Sequence, residues 1–235
     1  MAHVIQPPTP DRIKFDIFDR VNRAGTQLNK QEIRNALYQG NATKLLNRLS
    51  KNEVFSRATE KAFLKDKRMK DRYLLLRFIS FYLYFNEKVF VLEKDKSISY
   101  QYSGDIDELL GVVMEMLNSF SENEIEEIEK LTLNALEQVS FYLGENAFRL
   151  LETLEDGSVK RYPININIFE TILYGMTLLP IKCDSIKLIV QVKIDNMKKS
   201  NEFRDSLYNN RDSDSKVLIR KNIISRIVGE ISNDK

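Results

Sequence analysis

The segment Tyr73–Phe85 is an almost continuous apolar stretch, and it limits the folds open to this chain more than any other feature. It lies in a predicted helix from Asp71 to about Asn86, and a helix that is apolar nearly all round has to be buried. Arg77 and Ser80 interrupt the stretch, which is also too short to span a bilayer. The pattern therefore predicts the central helix of a soluble bundle.

Arg77 is the one charged residue inside this stretch. Its guanidinium has to reach the surface along a buried stem or find a carboxylate, such as Asp71 or one of the acids between residues 105 and 156. We favour a structural ion pair over a catalytic role, because a buried charge without a partner is strongly unfavourable.

Glycine and proline are scarce, with eight and five copies in 235 residues. The chain is 43% hydrophobic and 30% charged, which is enough for an ordinary core, and its amphipathic stretches favour helices over turn-rich sheets. We predict an all-α fold, an irregular multi-helix bundle with room for one short extended pair near residues 88–102. Cys183 and His3 are the only residues of their types, which excludes an internal disulfide and a histidine-rich metal site. We expect a soluble, cytoplasmic protein with no membrane partner.

Capping signals predict several helix ends. Asn29 with Glu32 and Ser121 with Glu124 have the spacing of capping boxes, and Gly40 stands where a left-handed residue would end a helix. Apolar periodicity predicts helices over residues 42–51, 56–64, 71–86, 105–120, 121–143, 165–179, 184–199 and 214–232. Residues 155–163 contain Asp-Gly and Tyr-Pro and are typical of a loop. We divide the chain into a helical part at 1–104 and a helical bundle at 105–235, which can also pack as one domain.

Charge is segregated along the chain. Residues 1–70 carry fifteen Lys and Arg against seven Asp and Glu, giving +8, whereas residues 105–156 carry two against fourteen, giving −12. The basic third can face phosphates, or it can dock on the acidic middle of its own fold or of a second copy. We favour the intramolecular or oligomeric alternative.

The stretch Ile17–Tyr38 contains the end of one helix, a polar loop with Gly25 and the start of a capped second helix. Residues 22–26 can offer amide, hydroxyl and backbone N–H groups beside Arg20 and Arg23, so a phosphate-bearing ligand can bind there. An ordinary helix-loop-helix, in which the glycine allows a tight bend and the asparagine bonds to nearby backbone, fits the same residues.

This stretch resembles a signature of the ParB/sulfiredoxin-like domain of GmrSD-type modification-dependent restriction enzymes. In that family a Phe-x-x-x-Asn element precedes a Gly-Gly-Thr loop and a Glu-x-Arg-Asn helix. The matching residues are Phe18, Asn22, Gly25, Thr26, Glu32, Arg34 and Asn35, with Ala24 in place of the first glycine. The resemblance continues at Arg68–Phe78 and Ile166–Glu170, but the family's other signature, Asp-Gly-Gln-Gln-Arg, does not occur in this sequence.

The resemblance implies that the chain corresponds to the C-terminal helical portion of a protein of nucleotide-dependent restriction and phage defence. The nucleotide-binding residues that it implies are Phe18, Arg20, Asn22, Gly25, Thr26 and Arg34. A ParB-like N-terminal half would supply the rest of that site, so we expect no cofactor and no catalysis in this chain alone, and GTP or ATP in the complete protein. The partners expected are that half, a second copy, or DNA. A stand-alone helical interaction module or DNA-binding module is the alternative.

The densest cationic cluster lies between residues 65 and 72. It contains Lys65 and four residues that we predict to contact nucleic acid, Lys67, Arg68, Lys70 and Arg72. A solvated helix end, with Arg68 paired to Asp71 three residues further on, explains the same pattern. The sequence contains no nucleophile motif, phosphate loop, histidine nuclease motif or metal-ligand spacing, so we assign no catalytic or metal-binding residue.

Overall fold

The computed structural model describes residues 27–93 and 96–233. This part of the chain contains ten α-helices and two short hairpins, which confirms the predicted helical bundle with a short extended pair. The helices are α1 Lys30–Leu37, α2 Asn41–Lys51, α3 Glu53–Ala58, α4 Lys70–Phe85, α5 Ile106–Ser119, α6 Glu122–Tyr142, α7 Ile166–Leu178, α8 Lys187–Lys199, α9 Asn201–Ser206 and α10 Asp214–Asn233. The strands are β1 Phe90–Glu93, β2 Lys96–Ser99, β3 Leu151–Thr153 and β4 Val159–Arg161, and a 3-10 turn at Asp184–Ile186 precedes α8.

Two helices, α4 and α7, form the centre of the core. In α4 every residue from Leu74 to Phe81 is buried, as the apolar stretch predicted. In α7 every residue from Asn167 to Met176 is buried. Helix α4 packs against α2, α5 and α7, and α7 also packs against α6 and α10. No helix within the described ranges is both long and apolar enough to cross a membrane.

Helices from both sides of residue 104 share one hydrophobic core. Helix α2 packs against α5 and α6, α3 packs against α6, and α4 packs against α7. The buried apolar residues other than Ile33 form a single cluster that extends from Tyr38 to Ile231. The two parts defined from the sequence are therefore in direct contact through their apolar faces.

The predicted capping signals are present at the helix starts. Asn29 and Ser121 each form a complete capping box, with Glu32 and Glu124 respectively. The side chain of Asn165 accepts from the first backbone N–H groups of α7. Because these caps bond orphan N–H groups that the helix itself cannot satisfy, they determine where the helices begin.

The helix predicted over residues 56–64 was wrong. Helix α3 ends at Ala58, and a series of turns follows. Glu60 and Lys61 adopt left-handed backbone, with φ of 54° and 59°, which a right-handed helix cannot include. The apolar periodicity in this region arises because Phe55, Ala58 and Phe63 contact the core from a helix and then from a turn.

The predicted loop at residues 155–163 contains a turn and the second strand of a β-hairpin that begins at Leu151. Strands β3 and β4 form an antiparallel hairpin there, with Leu151 opposite Arg161 and Thr153 opposite Val159. All six strand residues are exposed, so the sequence shows no alternation of apolar and polar residues that would predict the hairpin. Helix α9 was also not predicted; it begins where the Ser200 hydroxyl accepts from the backbone N–H of Phe203 at 3.3 Å.

Gly40 does require a conformation that favours glycine, but not the one predicted. Its φ of 150° and ψ of −147° place it in an extended region that only glycine visits readily, immediately before α2. Asn118 of α5 accepts from the backbone N–H of Ala42 at 2.9 Å and so caps α2 from a neighbouring helix. A Cβ on Gly40 would lie 2.5 Å from Oδ1 of Asn118.

We expect Gly40→Ala to lower the free energy of unfolding by about 2 kcal/mol, because the methyl group strains the backbone and displaces the Asn118 cap. Gly229→Ala is the matched control, since Gly229 lies in α10 and a Cβ there meets open space. The control should raise stability by about 0.5–1 kcal/mol. Urea unfolding followed by circular dichroism measures both, and equal effects would contradict this account.

Candidate functional site

Five of the six residues implied for a nucleotide site lie outside the described residues: Phe18, Arg20, Asn22, Gly25 and Thr26. The description begins at Gln27, directly after that loop. The structure therefore shows the contacts of Gln27, the residue that follows the loop, and those of the sixth residue, Arg34.

Arg68 joins the start of α1 to the start of α4. Its Nη2 donates to the carbonyl oxygen of Gln27 at 2.9 Å and lies 3.2 Å from Oε2 of Glu32. In return, Nδ2 of Asn29 donates to the carbonyl oxygen of Arg68 at 2.7 Å. The exit of the predicted nucleotide loop is thus held against the predicted nucleic-acid cluster, across 41 residues of sequence.

The suggested pairing of Arg68 with Asp71 is wrong. Asp66 caps the start of α4, because its two carboxylate oxygens accept from the backbone N–H groups of Arg68 at 2.9 Å and Asp71 at 3.0 Å. The Asp71 carboxylate itself accepts from the backbone N–H of Arg72 at 2.6 Å. With these acceptors engaged locally, the guanidinium of Arg68 turns toward Glu32.

Arg34 is buried, with a side chain only 1% exposed, and it joins α1 to α5. Its Nη1 donates to Oδ1 of Asp107 at 2.7 Å, and Lys30 pairs with the other oxygen of the same carboxylate. The guanidinium also lies over the Tyr73 ring, 5.6 Å from the centroid. Burial on its own would raise the pKa of Asp107, but the hydrogen bonds from Lys30 and Arg34 outweigh it and lower that pKa below its ordinary value of 3.8.

The four residues predicted to contact nucleic acid divide into two pairs. Arg68 and Arg72 are engaged within the fold: Arg72 donates to Oδ1 of Asn35 at 3.1 Å and to Oδ1 of Asn47 at 2.9 Å. Lys67 and Lys70 are exposed and form no ion pair within the part of the chain that is described. Lys65 has the same environment, so these three lysines form a cationic edge at the start of α4.

The segregated charges meet partly inside the fold. Lys30 and Arg34 pair with Asp107, and Arg48 forms a bidentate pair with Glu129 at 2.9 and 2.6 Å. Basic residues before position 70 therefore dock on the acidic middle of the same chain, as the intramolecular alternative expects.

Arg77 is completely buried and forms ion pairs, as predicted, but with different partners. Its Nε donates to Oε2 of Glu170 at 2.7 Å, and its Nη2 donates to Oδ1 of Asp212 at 2.7 Å. Asp71 is not a partner, and neither acid comes from residues 105–156. The reason is packing: α4 lies against α7 along its buried length, which brings Glu170 into reach.

A second arginine completes this buried charge network, which consists of Arg77, Glu170, Arg220 and Asp212. Arg220 of α10 donates to Oε1 of Glu170 at 3.1 Å and to the carbonyl oxygen of Ser206 at 2.7 Å. Two guanidinium groups balance two carboxylates, so the network carries no net charge. Such pairing is the condition under which buried charges are tolerated.

The environment keeps both arginines charged. Burial disfavours the charged form of Arg77, but the adjacent Glu170 carboxylate outweighs burial and raises the pKa of Arg77 well above its ordinary value. For Arg220 burial dominates and lowers the pKa, but guanidinium groups begin so high that the residue stays protonated at physiological pH. The two guanidinium groups of the network are therefore permanently charged.

The network reaches the surface at Asp212. The Tyr102 hydroxyl donates to the carbonyl oxygen of Asp212, and Nη1 of Arg220 donates to that of Arg211 at 2.9 Å. These bonds hold the loop between α9 and α10, which lines a cavity of about 630 Å³ together with Ser103 and Gly104. The described residues include no group of three or more His, Cys, Asp or Glu side chains arranged to hold a metal ion.

Glu170 and Arg220 were not predicted as partners of Arg77, although the sequence contained a signal. Glu170 is a lone charge inside an apolar helical stretch, INIFETILYGM, as Arg77 is in its own, and Arg220 lies among apolar residues in VLIRKNII beside Lys221. Charges that are buried among apolar residues of different helices need each other, because each is unfavourable alone. Asp212 lies in a polar segment and carried no such signal.

No protein-family model matches this sequence, and no curated protein or solved structure is significantly similar to it. The resemblance to the GmrSD-type family therefore stays a prediction from the quoted motifs.

We expect Asp107→Asn to destabilise the protein at neutral pH, because Lys30 and Arg34 lose their carboxylate partner. The pKa of Asp107 is lowered in the folded state, so its contribution is present above the ordinary value of 3.8 and is lost as the pH falls through the lower folded value. Urea unfolding at neutral pH and in steps below pH 4 should show the gap between wild type and variant closing in acid. A gap that is independent of pH would contradict this role.

Proposed function

We propose that this chain is the helical portion of a GmrSD-like protein of nucleotide-dependent restriction and phage defence. In this proposal it holds one side of a nucleotide site through the loop at residues 22–26 and contacts nucleic acid through the cationic edge. A ParB-like core bearing Asp-Gly-Gln-Gln-Arg, wherever it is encoded, would supply the other side of the site and the GTP or ATP hydrolysis.

The observation that carries the proposal is the bond from Arg68 to the carbonyl oxygen of Gln27, at 2.9 Å. Gln27 follows the implied nucleotide loop directly, and Arg68 lies between two lysines of the cationic edge, Lys67 and Lys70. The residue that follows the implied nucleotide loop is therefore a neighbour in space of the segment that we predict to contact nucleic acid. A nucleotide and a nucleic-acid backbone both present phosphates, which suits one positive edge serving both.

The contacts that hold α1 also support the proposal. Arg68 fixes its start and the Arg34–Asp107 pair fixes its middle, so the exit of the loop has a defined position. A site that binds phosphate needs its donors held in place before the ligand arrives, because ordering them on binding weakens affinity. In this proposal Arg34 positions the helix that carries the loop, since its own guanidinium is occupied by Asp107.

We expect the purified chain to bind duplex DNA in a salt-sensitive manner, and the triple variant Lys65→Ala, Lys67→Ala, Lys70→Ala to bind at least roughly tenfold more weakly. Each lysine that neutralises a phosphate adds about 0.9 to the slope of log affinity against log salt, so the variant should lose about 2.7 of that slope. Fluorescence anisotropy of a labelled duplex across a KCl series measures both quantities.

The control removes three other exposed lysines, Lys96, Lys130 and Lys199, and so changes the net charge equally. If the control weakens binding as much as the test variant, binding depends on total charge and the cationic edge has no special role. If the wild type does not bind duplex at all, the nucleic-acid part of the proposal is wrong.

A further inference from the structure

Leu64 stands out among the apolar residues of the surface. It lies in the connection between α3 and α4 and is 70% exposed. Its neighbour Phe63 points inward and stacks on Phe55, with ring centroids 5.7 Å apart. A large apolar side chain is thus projected into solvent from a segment whose adjacent residue is anchored in the core.

The backbone that projects Leu64 is tightly folded. The N–H of Lys61 donates to the carbonyl oxygen of Ser56 at 2.7 Å, and the N–H of Leu64 donates to that of Lys61 at 3.3 Å. Glu60 and Lys61 both adopt left-handed backbone, which is unfavourable for residues other than glycine. Such a conformation persists only where the surroundings hold it.

Glu60 provides that hold. Its carboxylate accepts from the backbone N–H of Asn146 at 3.1 Å and from Nε of Arg149 at 3.3 Å, and it pairs with Arg161. Three partners from the segment around the β3–β4 hairpin therefore fasten the beginning of the turn. The end of the connection is fastened by Asp66, which caps α4.

Cations surround the projected leucine. Lys61, Lys65 and Lys67 are exposed, and none of them forms an ion pair with another described residue. Ile181 and Leu188 are equally exposed at 70%, but their neighbours differ. Lys182 pairs with Glu137, and Nζ of Lys187 lies 4.7 Å from the centroid of the Phe141 ring. Within the described residues, Leu64 is therefore distinguished by neighbouring exposed lysines that form no ion pair.

We propose that Leu64 is a wedge that inserts between base pairs of duplex DNA while the neighbouring lysines bind the phosphates. This inference rests on the proposed function and adds the way in which the duplex is deformed. Proteins that insert a single Leu, Ile, Met or Phe into a base step unstack it, and the insertion requires a rigid support and flanking cations. The pinned turn provides the support, and the cationic edge continues directly from it.

An anionic lipid surface would also attract lysines beside an apolar side chain. Stable insertion into lipid needs a broad apolar face or an acyl chain, since a single side chain contributes little. Residues 60–69 expose one large apolar side chain, Leu64, among four cations and two acids. The arrangement suits one base step better than a membrane.

The experiment uses the full chain and a short duplex that contains 2-aminopurine, whose fluorescence rises when the base is unstacked. We expect wild type to bind and to raise the fluorescence. Leu64→Ala should remove the fluorescence rise and weaken binding by no more than about tenfold, because the lysine contacts remain. Leu188→Ala is the matched control, with the same residue type and the same 70% exposure away from the cationic edge, and it should behave as wild type.

The outcomes separate the two proposals. If wild type binds the duplex but Leu64→Ala and Leu188→Ala give the same fluorescence, the wedge is wrong and the cationic edge stands. If wild type does not bind the duplex, the proposed nucleic-acid contact fails and the wedge fails with it. Binding to phosphatidylserine vesicles that Leu64→Ala abolishes, without duplex binding, would assign the leucine to a lipid surface and overturn the inference.

Discussion

The ion pair between Arg77 and Glu170 connects the two helices at the centre of the core, with Nε and Oε2 2.7 Å apart. Both side chains are almost completely inaccessible to water, so neither could be accommodated without the other. Arg220 and Asp212 extend the pair to α10 and to the loop before it. The relative placement of α4, α7 and α10 therefore depends on charges that must meet, as well as on apolar packing.

Arg77 also connects the centre of the core to the place where α1 meets α4, beside the predicted site. Tyr73, one turn before Arg77 on α4, has the Arg34 guanidinium 5.6 Å and the Arg77 guanidinium 5.9 Å from its ring centroid. Arg34 in turn joins α1 to Asp107. Buried cations in this fold thus serve to position helices, whereas the exposed lysines at the start of α4 have no such task within the described residues. Because the buried arginines hold helices and the exposed lysines do not, we propose the cationic edge as the surface that binds a ligand.

Local signals in the sequence predicted much of the fold. Apolar periodicity identified α4 as buried, and side-chain caps such as Asn29 and Ser121 marked helix starts, because both effects act over one or two turns. The hairpin at β3 and β4 was missed, since its exposed strands have no apolar face. The turn after α3 was missed because its left-handed residues are held by Glu60 contacts with residues more than eighty positions away.

The candidate site shows the same limit. The sequence indicated that Arg77 needs a carboxylate, but the choice of Glu170 and Asp212 depends on which helices pack together. Likewise, four cations at residues 67–72 looked equivalent, and only tertiary contacts separate Arg68 and Arg72, which bond to Gln27, Asn35 and Asn47, from the exposed lysines. Residues 22–26, which carry part of the family resemblance, lie outside the described part, so their assignment stays a prediction.

The most direct test of this account is a double-mutant cycle on Arg77 and Glu170, with leucine at each position and urea unfolding as the measurement. Each single variant should lose about 3–5 kcal/mol, because it leaves a buried charge without its main partner. The double variant should lose clearly less than the sum of the two, since both charges of the pair are then absent. Losses that simply add would contradict the claim that this ion pair determines how α4 and α7 are arranged.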